Sequence, residues 1–238
     1  AIEVASLNAA GQLTGVGIVA LSGQAISDDG RYVVYASNAG NIVPGVGSGT
    51  IQVYVRDLAT DTTALASRSA AGAAANSQSD LGAISPNGRF VSFRSFATNL
   101  PGGPFASRVY VHDRVTLATS SVPLPVLNAV TATGCRENDV ADNGVVVLTC
   151  FFGSGLFDQV YLHIPGAAGT PFLISSDIND VAGNQVSGTR VAIDASGLSM
   201  IFDSLASNLV GNDFNGVSDS FILIDEGILD GIFADSFE

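Results

Sequence analysis

Apolar and polar positions in this chain alternate in short runs, with no sustained helical period. RYVVYAS (31–37), RFVSFRS (89–95), VVVLTCF (145–151) and LSMIFDS (198–204) are rich in β-branched and aromatic residues. Each follows a turn sequence: SDDG (27–30), SPNG (85–88), ADNG (141–144) and DASG (194–197). A glycine in the positive-φ place ahead of an alternating run predicts a hairpin. Some twenty residues on, a second run appears as IQVYVRD (51–57), SRVYVHD (107–113), DQVYLHI (158–164) and SDSFILI (218–224). In three of the four cases a short turn and a further strand follow: TALAS (63–67), TSSVP (119–123) and PFLIS (171–175).

The turn glycines 30, 88, 144 and 197 are spaced 58, 56 and 53 residues apart. Four-stranded units at such a period predict the blades of an antiparallel β-propeller. The chain is therefore expected to be all-β, a four-bladed propeller over 1–225 with a C-terminal tail at 226–238. The blades are placed at 11–67, 68–125, 126–177 and 178–225. The fourth stops after its third strand. IEVASLNAAG (2–11 with its turn) has the wording of a last strand and its exit, as in TALASRSAAG (63–72). Residues 1–10 are thus expected to close the ring and cover the exposed edge. The turn wording AISDDGRYV/AISPNGRFV, the segment of the form S-x-A-x-N-(I/L) and VYVRDLAT resemble the WD40-like PD40 (TolB-type) propeller repeats of bacterial envelope and secreted proteins. The resemblance implies a propeller and no particular activity.

Composition narrows the partners. All nine basic residues are Arg, against 18 Asp and 4 Glu, for a net charge of −13. Such a chain is repelled by nucleic-acid phosphates and anionic lipid. Apolar residues make up 47 %, yet no run approaches the roughly 18 of a membrane span. The chain opens on Ala1 rather than Met, the appearance of an exported protein after loss of its leader. The expectation is a secreted, surface or periplasmic bacterial protein.

Two cysteines in an exported chain favour a disulfide. With Val140 opposite Val145 across the turn, and a one-residue bulge at the glycine, Cys135 faces Cys150; two separate buried thiols are the alternative. DFNGVSD (213–219) is the nearest approach to a metal motif: Asp213, Asn215 and Asp219 could offer oxygens to Ca²⁺ around Gly216, or form only an Asx-rich turn. No other cofactor is indicated. His112 and His163 share one blade position with Arg56 and Leu223, and are expected to be partly exposed strand residues. No nucleophile elbow accompanies them, so no catalytic residues are assigned.

The tail GILDGIFADSFE (227–238) lies outside the repeat and has an apolar side formed by Ile228, Ile232, Phe233 and Phe237. With Ile2, Val4 and Leu7 at the other end, it is a candidate self-association segment. The leading reading is a non-catalytic secreted interaction module that forms a homo-oligomer or filament. A second is a propeller binding a glycan or protein ligand with Ca²⁺ assistance; the absence of Trp weighs against a sugar. A hydrolase is the third.

Overall fold

A computed structural model describes residues 4–8, 11–13, 18–20, 24–102, 106–153, 155–167 and 169–224. Every regular element among them is a β-strand, in antiparallel sheets. No helix of the described residues is long and apolar enough to cross a membrane. The chain divides into two compact units, Ala1–Ser121 and Val122–Glu238.

The first unit holds two four-stranded meanders. One runs β1 (Ile18–Ala20), β2 (Tyr32–Ser37), β3 (Gln52–Asp57), β4 (Thr62–Leu65); the other runs β5 (Ser79–Ile84), β6 (Phe90–Ser95), β7 (Arg108–Asp113), β8 (Thr119–Ser121). The second unit begins with a two-stranded hairpin, β9 (Val126–Leu127) and β10 (Val130–Thr131). A four-stranded meander follows: β11 (Gly134–Val140), β12 (Val146–Phe151), β13 (Gln159–His163), β14 (Phe172–Leu173). Its last sheet has three strands, β15 (Ser187–Ile193), β16 (Ser199–Ser204) and β17 (Asp219–Ile224).

The hairpins form where the turn sequences place them. Gly30, Gly88, Gly144 and Gly197 all adopt positive φ, between 71° and 83°. Short polar side chains brace these turns: Ser27 Oγ accepts the Tyr32 amide at 3.0 Å, and Ser85 Oγ accepts that of Phe90 at 2.9 Å. In the first two sheets an arginine after the glycine clasps the far strand. Arg31 donates to both carboxylate oxygens of Asp57 at 2.9 and 2.8 Å, and Arg89 to those of Asp113 at 3.2 and 2.8 Å. Asp57 also accepts the Ala59 amide, and Asp113 that of Val115, so each aspartate caps its own turn. The arginine and these amides hold both carboxyls far below the usual carboxylate range.

Each unit has an apolar core between its two larger sheets. In the first, Val34, Val53 and Val55 pack against Ile84, Val91 and Phe93. In the second, Val147, Val160 and Leu162 pack against Ile193, Met200 and Phe202. An aromatic rung recurs at one position of the sheets: Tyr35/Tyr54, Phe93/Tyr110 and Phe202/Phe221 are cross-strand pairs with ring centroids 5.7, 5.6 and 5.6 Å apart.

A longer period overlies the fourfold one. The exit from the first sheet forms a bridge between Arg68 and Ala74, and the exit from β14 forms the same bridge, Ser176 to Ala182, 108 positions later. Gln52 accepts from Ser67 Oγ at 2.6 Å and donates to Ala75 O; Gln159 accepts from Ser175 Oγ at 2.5 Å and donates to Gly183 O. Asn76 ties to Asn99 and Thr98 as Asn184 ties to Asn208 and Ser207. The two units are tandem copies of one two-sheet design.

The first strand of the second sheet in each unit presses against the first sheet through a glycine. A Cβ on Gly82 would lie 2.7 Å from Cγ1 of both Val34 and Val53; one on Gly188 would lie 2.3 Å from Thr149 Oγ1. Gly82→Ala should therefore overpack the first unit's core and destabilise it by about 1–3 kcal/mol. Equilibrium denaturation with an unchanged midpoint would refute this close approach.

Candidate functional site

The edge of the last sheet differs from every other part of the repeat. In β3, β7 and β13 nearly all residues are buried, so both faces of these middle strands are covered. β17 alternates half-buried and exposed along its length. The contrast is sharpest at one rung. Val34/Val55, Ser92/Val111 and Val147/Leu162 are buried pairs in the first three sheets. Their counterparts in the fourth, Ile201 and Ile222, are 45 % and 65 % exposed, and Ile224 is 54 % exposed. Within each unit, the covered face is covered by the first strand of the following sheet. Among the described residues no strand pairs with the outer side of β17.

The N-terminal segment has the local geometry of a sheet exit. Leu7 bridges Leu13 as Arg68 bridges Ala74, and the Gly11 amide donates to Asn8 O at 2.9 Å as that of Gly72 donates to Ser69 O at 2.8 Å. Val4 is 48 % exposed and Leu7 half-buried. Ile2, Ile228, Ile232, Phe233 and Phe237 lie outside the described residues.

Cys135 and Cys150 are joined in a disulfide and are opposite one another in register. The route to that pairing differs from the expected one. Val140 faces Val146, not Val145, and the bulge lies between Cys135 and Asn138 rather than at the turn glycine. The same rung elsewhere carries serine pairs: Ser79 Oγ donates to Ser95 Oγ, and Ser187 and Ser204 share a hydrogen bond, each at 2.8 Å. The disulfide thus occupies a slot that the second and fourth sheets fill with two hydroxyls, whereas in the first sheet Ile18 stands opposite Ser37.

The loop holding Asp213, Asn215 and Asp219 joins β16 to β17. Asn215 donates its amide to Asp219 Oδ2 at 2.8 Å and accepts the Val217 amide at 2.9 Å. These are the contacts of an Asx turn. No group of three His, Cys, Asp or Glu residues is arranged to hold a metal among the described residues.

The two histidines do share a strand position, but His112 is buried (3 % exposed) rather than partly exposed. Its cross-strand neighbour Thr119 explains why, since the hydroxyl meets His112 Nδ1 at 3.0 Å. Burial, reinforced by the Arg68 charge, pushes His112 down to about 4. Arg56 is likewise buried, bonded to Thr63 and to Asp61 in its own turn. His163 is half-buried and its basicity is lowered by burial.

Asp139 is the titratable group that the sequence did not mark. It is 5 % exposed, and its two oxygens accept the amides of Val140 (2.9 Å) and Ile193 (3.1 Å), tying β11 to β15. Burial raises it to about 6 against those amides.

No family model matches the chain, and no curated protein matches it. Among solved structures the tricorn protease aligns at a TM-score of 0.45 and 11 % identity over 79 % of this chain. The chain spans 19 % of that protein's length. The PD40-type resemblance therefore rests on the repeat wording alone.

Two outcomes are expected. Because Ser79 and Ser95 occupy the disulfide slot, Ser79→Cys with Ser95→Cys should form a second disulfide on air oxidation, read as two hydrogens lost by intact mass; two free thiols would refute the equivalence. For Asp139, the folded value lies above the ordinary 3.8, so the fold favours the neutral carboxyl. That contribution is complete below about pH 4 and lost as pH rises through about 6. Wild type should lose about 2–3 kcal/mol relative to Asp139→Ala between pH 4 and pH 7, measured by urea denaturation at each pH. A constant difference would show that Asp139 does not titrate in this range.

Proposed function

We propose that the chain is a non-catalytic interaction module of four-bladed propeller type, which self-associates when the N-terminal segment of one copy completes the fourth sheet of another. The observation that carries this is the last sheet, which among the described residues has three strands and no partner on the outer side of β17, with Ile201, Ile222 and Ile224 exposed. The earlier sheets supply the rule for what belongs there: a fourth outer strand, and the first strand of a following repeat on the open face. Residues 2–20 contain both kinds of segment. Apolar rows of this kind beside an unpaired edge are templates for pairing. Head-to-tail pairing that does not close on itself gives filaments. The −13 charge opposes assembly, and salt promotes it by screening. Secretion fits a disulfide-bonded chain with this composition.

The repeat gives the register. Leu65 stands three residues before Arg68 and opposite Tyr54. Val4 stands three residues before Leu7, and Phe221, stacked on Phe202, is the counterpart of Tyr54. Val4 is therefore assigned opposite Phe221. Chains carrying Val4→Cys, mixed at high salt with chains carrying Phe221→Cys, should cross-link into disulfide-bonded dimers. The double variant on one chain should give ladders on a non-reducing gel. A monomeric intrachain disulfide in the double variant, with no cross-link in the mixture, would mean closure within one chain. It would replace self-association with a closed ligand-binding propeller. Absence of any cross-link would remove the register itself.

A further inference from the structure

The first unit carries a cavity of about 410 Å³ above the exit of its first sheet. The loop between β2 and β3 forms one wall, through Val43 and Val46; β4 and the exit turn supply Leu65 and Ala74. These four side chains belong to a small core around the stacked Tyr35 and Tyr54, so the floor is apolar and fixed. Among the lining residues, Arg68 alone is ionisable.

Five of the nine arginines are held by an aspartate, and Arg68 is not among them. Arg31, Arg56, Arg89, Arg94 and Arg136 each sit on an aspartate. Arg114 donates to the Gly88 carbonyl and lies over Tyr32. Arg68, like Arg108 and Arg190, has no carboxylate partner among the described residues, and its Nε, like those of Arg56, Arg108 and Arg136, is enclosed without an acceptor; of these, Arg68 is the one that lines the cavity. An enclosed guanidinium donor left unmatched costs free energy that a bound acceptor would recover. The guanidinium passes over Gly72, where a Cβ would lie 2.8 Å from Nη2, so the glycine makes room for it.

The fold does not need this arginine. The same exit bridge forms with Leu7 at the N-terminus and with Ser176 in the second unit. A residue that the turn tolerates as Leu or Ser, but that here holds an unpaired cation over an apolar cavity, has a role beyond building the turn. A planar carboxylate satisfies a guanidinium fork with two parallel hydrogen bonds. The cavity lies at the small end of the range of ligand sites, about 300–1,000 Å³, and its walls suit a short hydrocarbon.

We propose that this cavity binds a small aliphatic carboxylate, the carboxylate paired with Arg68 and the hydrocarbon laid against Val43, Val46, Leu65 and Ala74. The site lies within the first unit and does not depend on how the fourth sheet is completed. Two sources share the chemistry, a free short-chain acid and the C-terminus of a peptide ending in a small apolar residue.

The test is isothermal titration calorimetry of the full chain with hexanoate, its neutral isostere hexanamide, and acetyl-Ala-Val as the free acid. Hexanoate should saturate, and hexanamide should bind at least about tenfold more weakly, the scale of one charge-assisted hydrogen bond. Arg68→Gln should lose a similar factor for hexanoate at an unchanged melting temperature, and Arg68→Lys should fall between. If acetyl-Ala-Val binds more tightly than hexanoate, the site takes peptide termini; the reverse order assigns it to free acids. Equal affinity for hexanoate and hexanamide overturns the proposal, as does saturation by neither acid, or hexanoate binding unaffected by Arg68→Gln. The comparison of hexanoate with hexanamide uses wild type alone, so a variant that fails to fold leaves the test intact.

Discussion

The middle strands of this chain are apolar on both faces, and each sheet must therefore be covered twice. That constraint follows from composition along the strand. QVYVRD in β3 and QVYLH in β13 hold consecutive buried residues, where a sheet with one wet face would alternate. A single hairpin cannot meet such a demand, and a second sheet meets only half of it. Within each unit repetition meets part of it, the first strand of the second large sheet closing over the meander before it, as Gly82 does against Val34 and Val53. The cost of the arrangement falls on the last copy. β17 keeps the apolar wording of its relatives, yet Ile222 and Ile224 face solvent.

Repetition also explains why chemistry can be exchanged at a fixed rung without disturbing the fold. Ser79/Ser95, Cys135/Cys150 and Ser187/Ser204 are three solutions to one cross-strand slot. The serine pairs supply a hydrogen bond each, worth about 0.5–1.5 kcal/mol net. The disulfide closes a short loop, and in the chain-entropy account contributes about 3 kcal/mol. It falls in the copy whose turn glycine is followed at once by Val145 and Val146, without the Arg31–Asp57 kind of clasp found in the first two sheets. A covalent tie in the third sheet thus accompanies the loss of the ionic clasp that the first two sheets carry.

Much of this was legible in the sequence, for identifiable reasons. Turn glycines at positive φ and alternating runs act locally, so the hairpins, the three-stranded last sheet and the exit turn at Leu7 followed from wording alone. The cysteine pairing was legible too, although the bulge sits at Arg136 and Glu137 and not at the glycine. The two-sheet tandem period was hidden. It is carried by long-range amide ties such as Gln52 to Ala75 and Asn184 to Asn208, which leave no run of similar residues. The burial of His112 depends on a hydroxyl across the strand, and the enclosed oxygens of Asp139 on an amide 54 residues away. Nor does a string of nine arginines reveal which of them lack an acid or which lines a cavity. Pairing of that kind is a property of the folded surface.

The charge distribution bears on how the last sheet is used. Soluble proteins blunt exposed sheet edges with lysines, prolines or inward-pointing charges. This chain has no lysine at all, and β17 carries one acid, Asp219, at its start, itself engaged by Asn215. Its remaining positions are Ser, Phe and aliphatic residues. Net charge is therefore what opposes the approach of copies at long range, and among the described residues β17 carries no charge beyond Asp219. Long-range repulsion falls with ionic strength, whereas backbone pairing and apolar burial do not. On the proposed pairing, assembly through such an edge is suppressed in dilute, low-salt solution and promoted where salt is high or chains are concentrated.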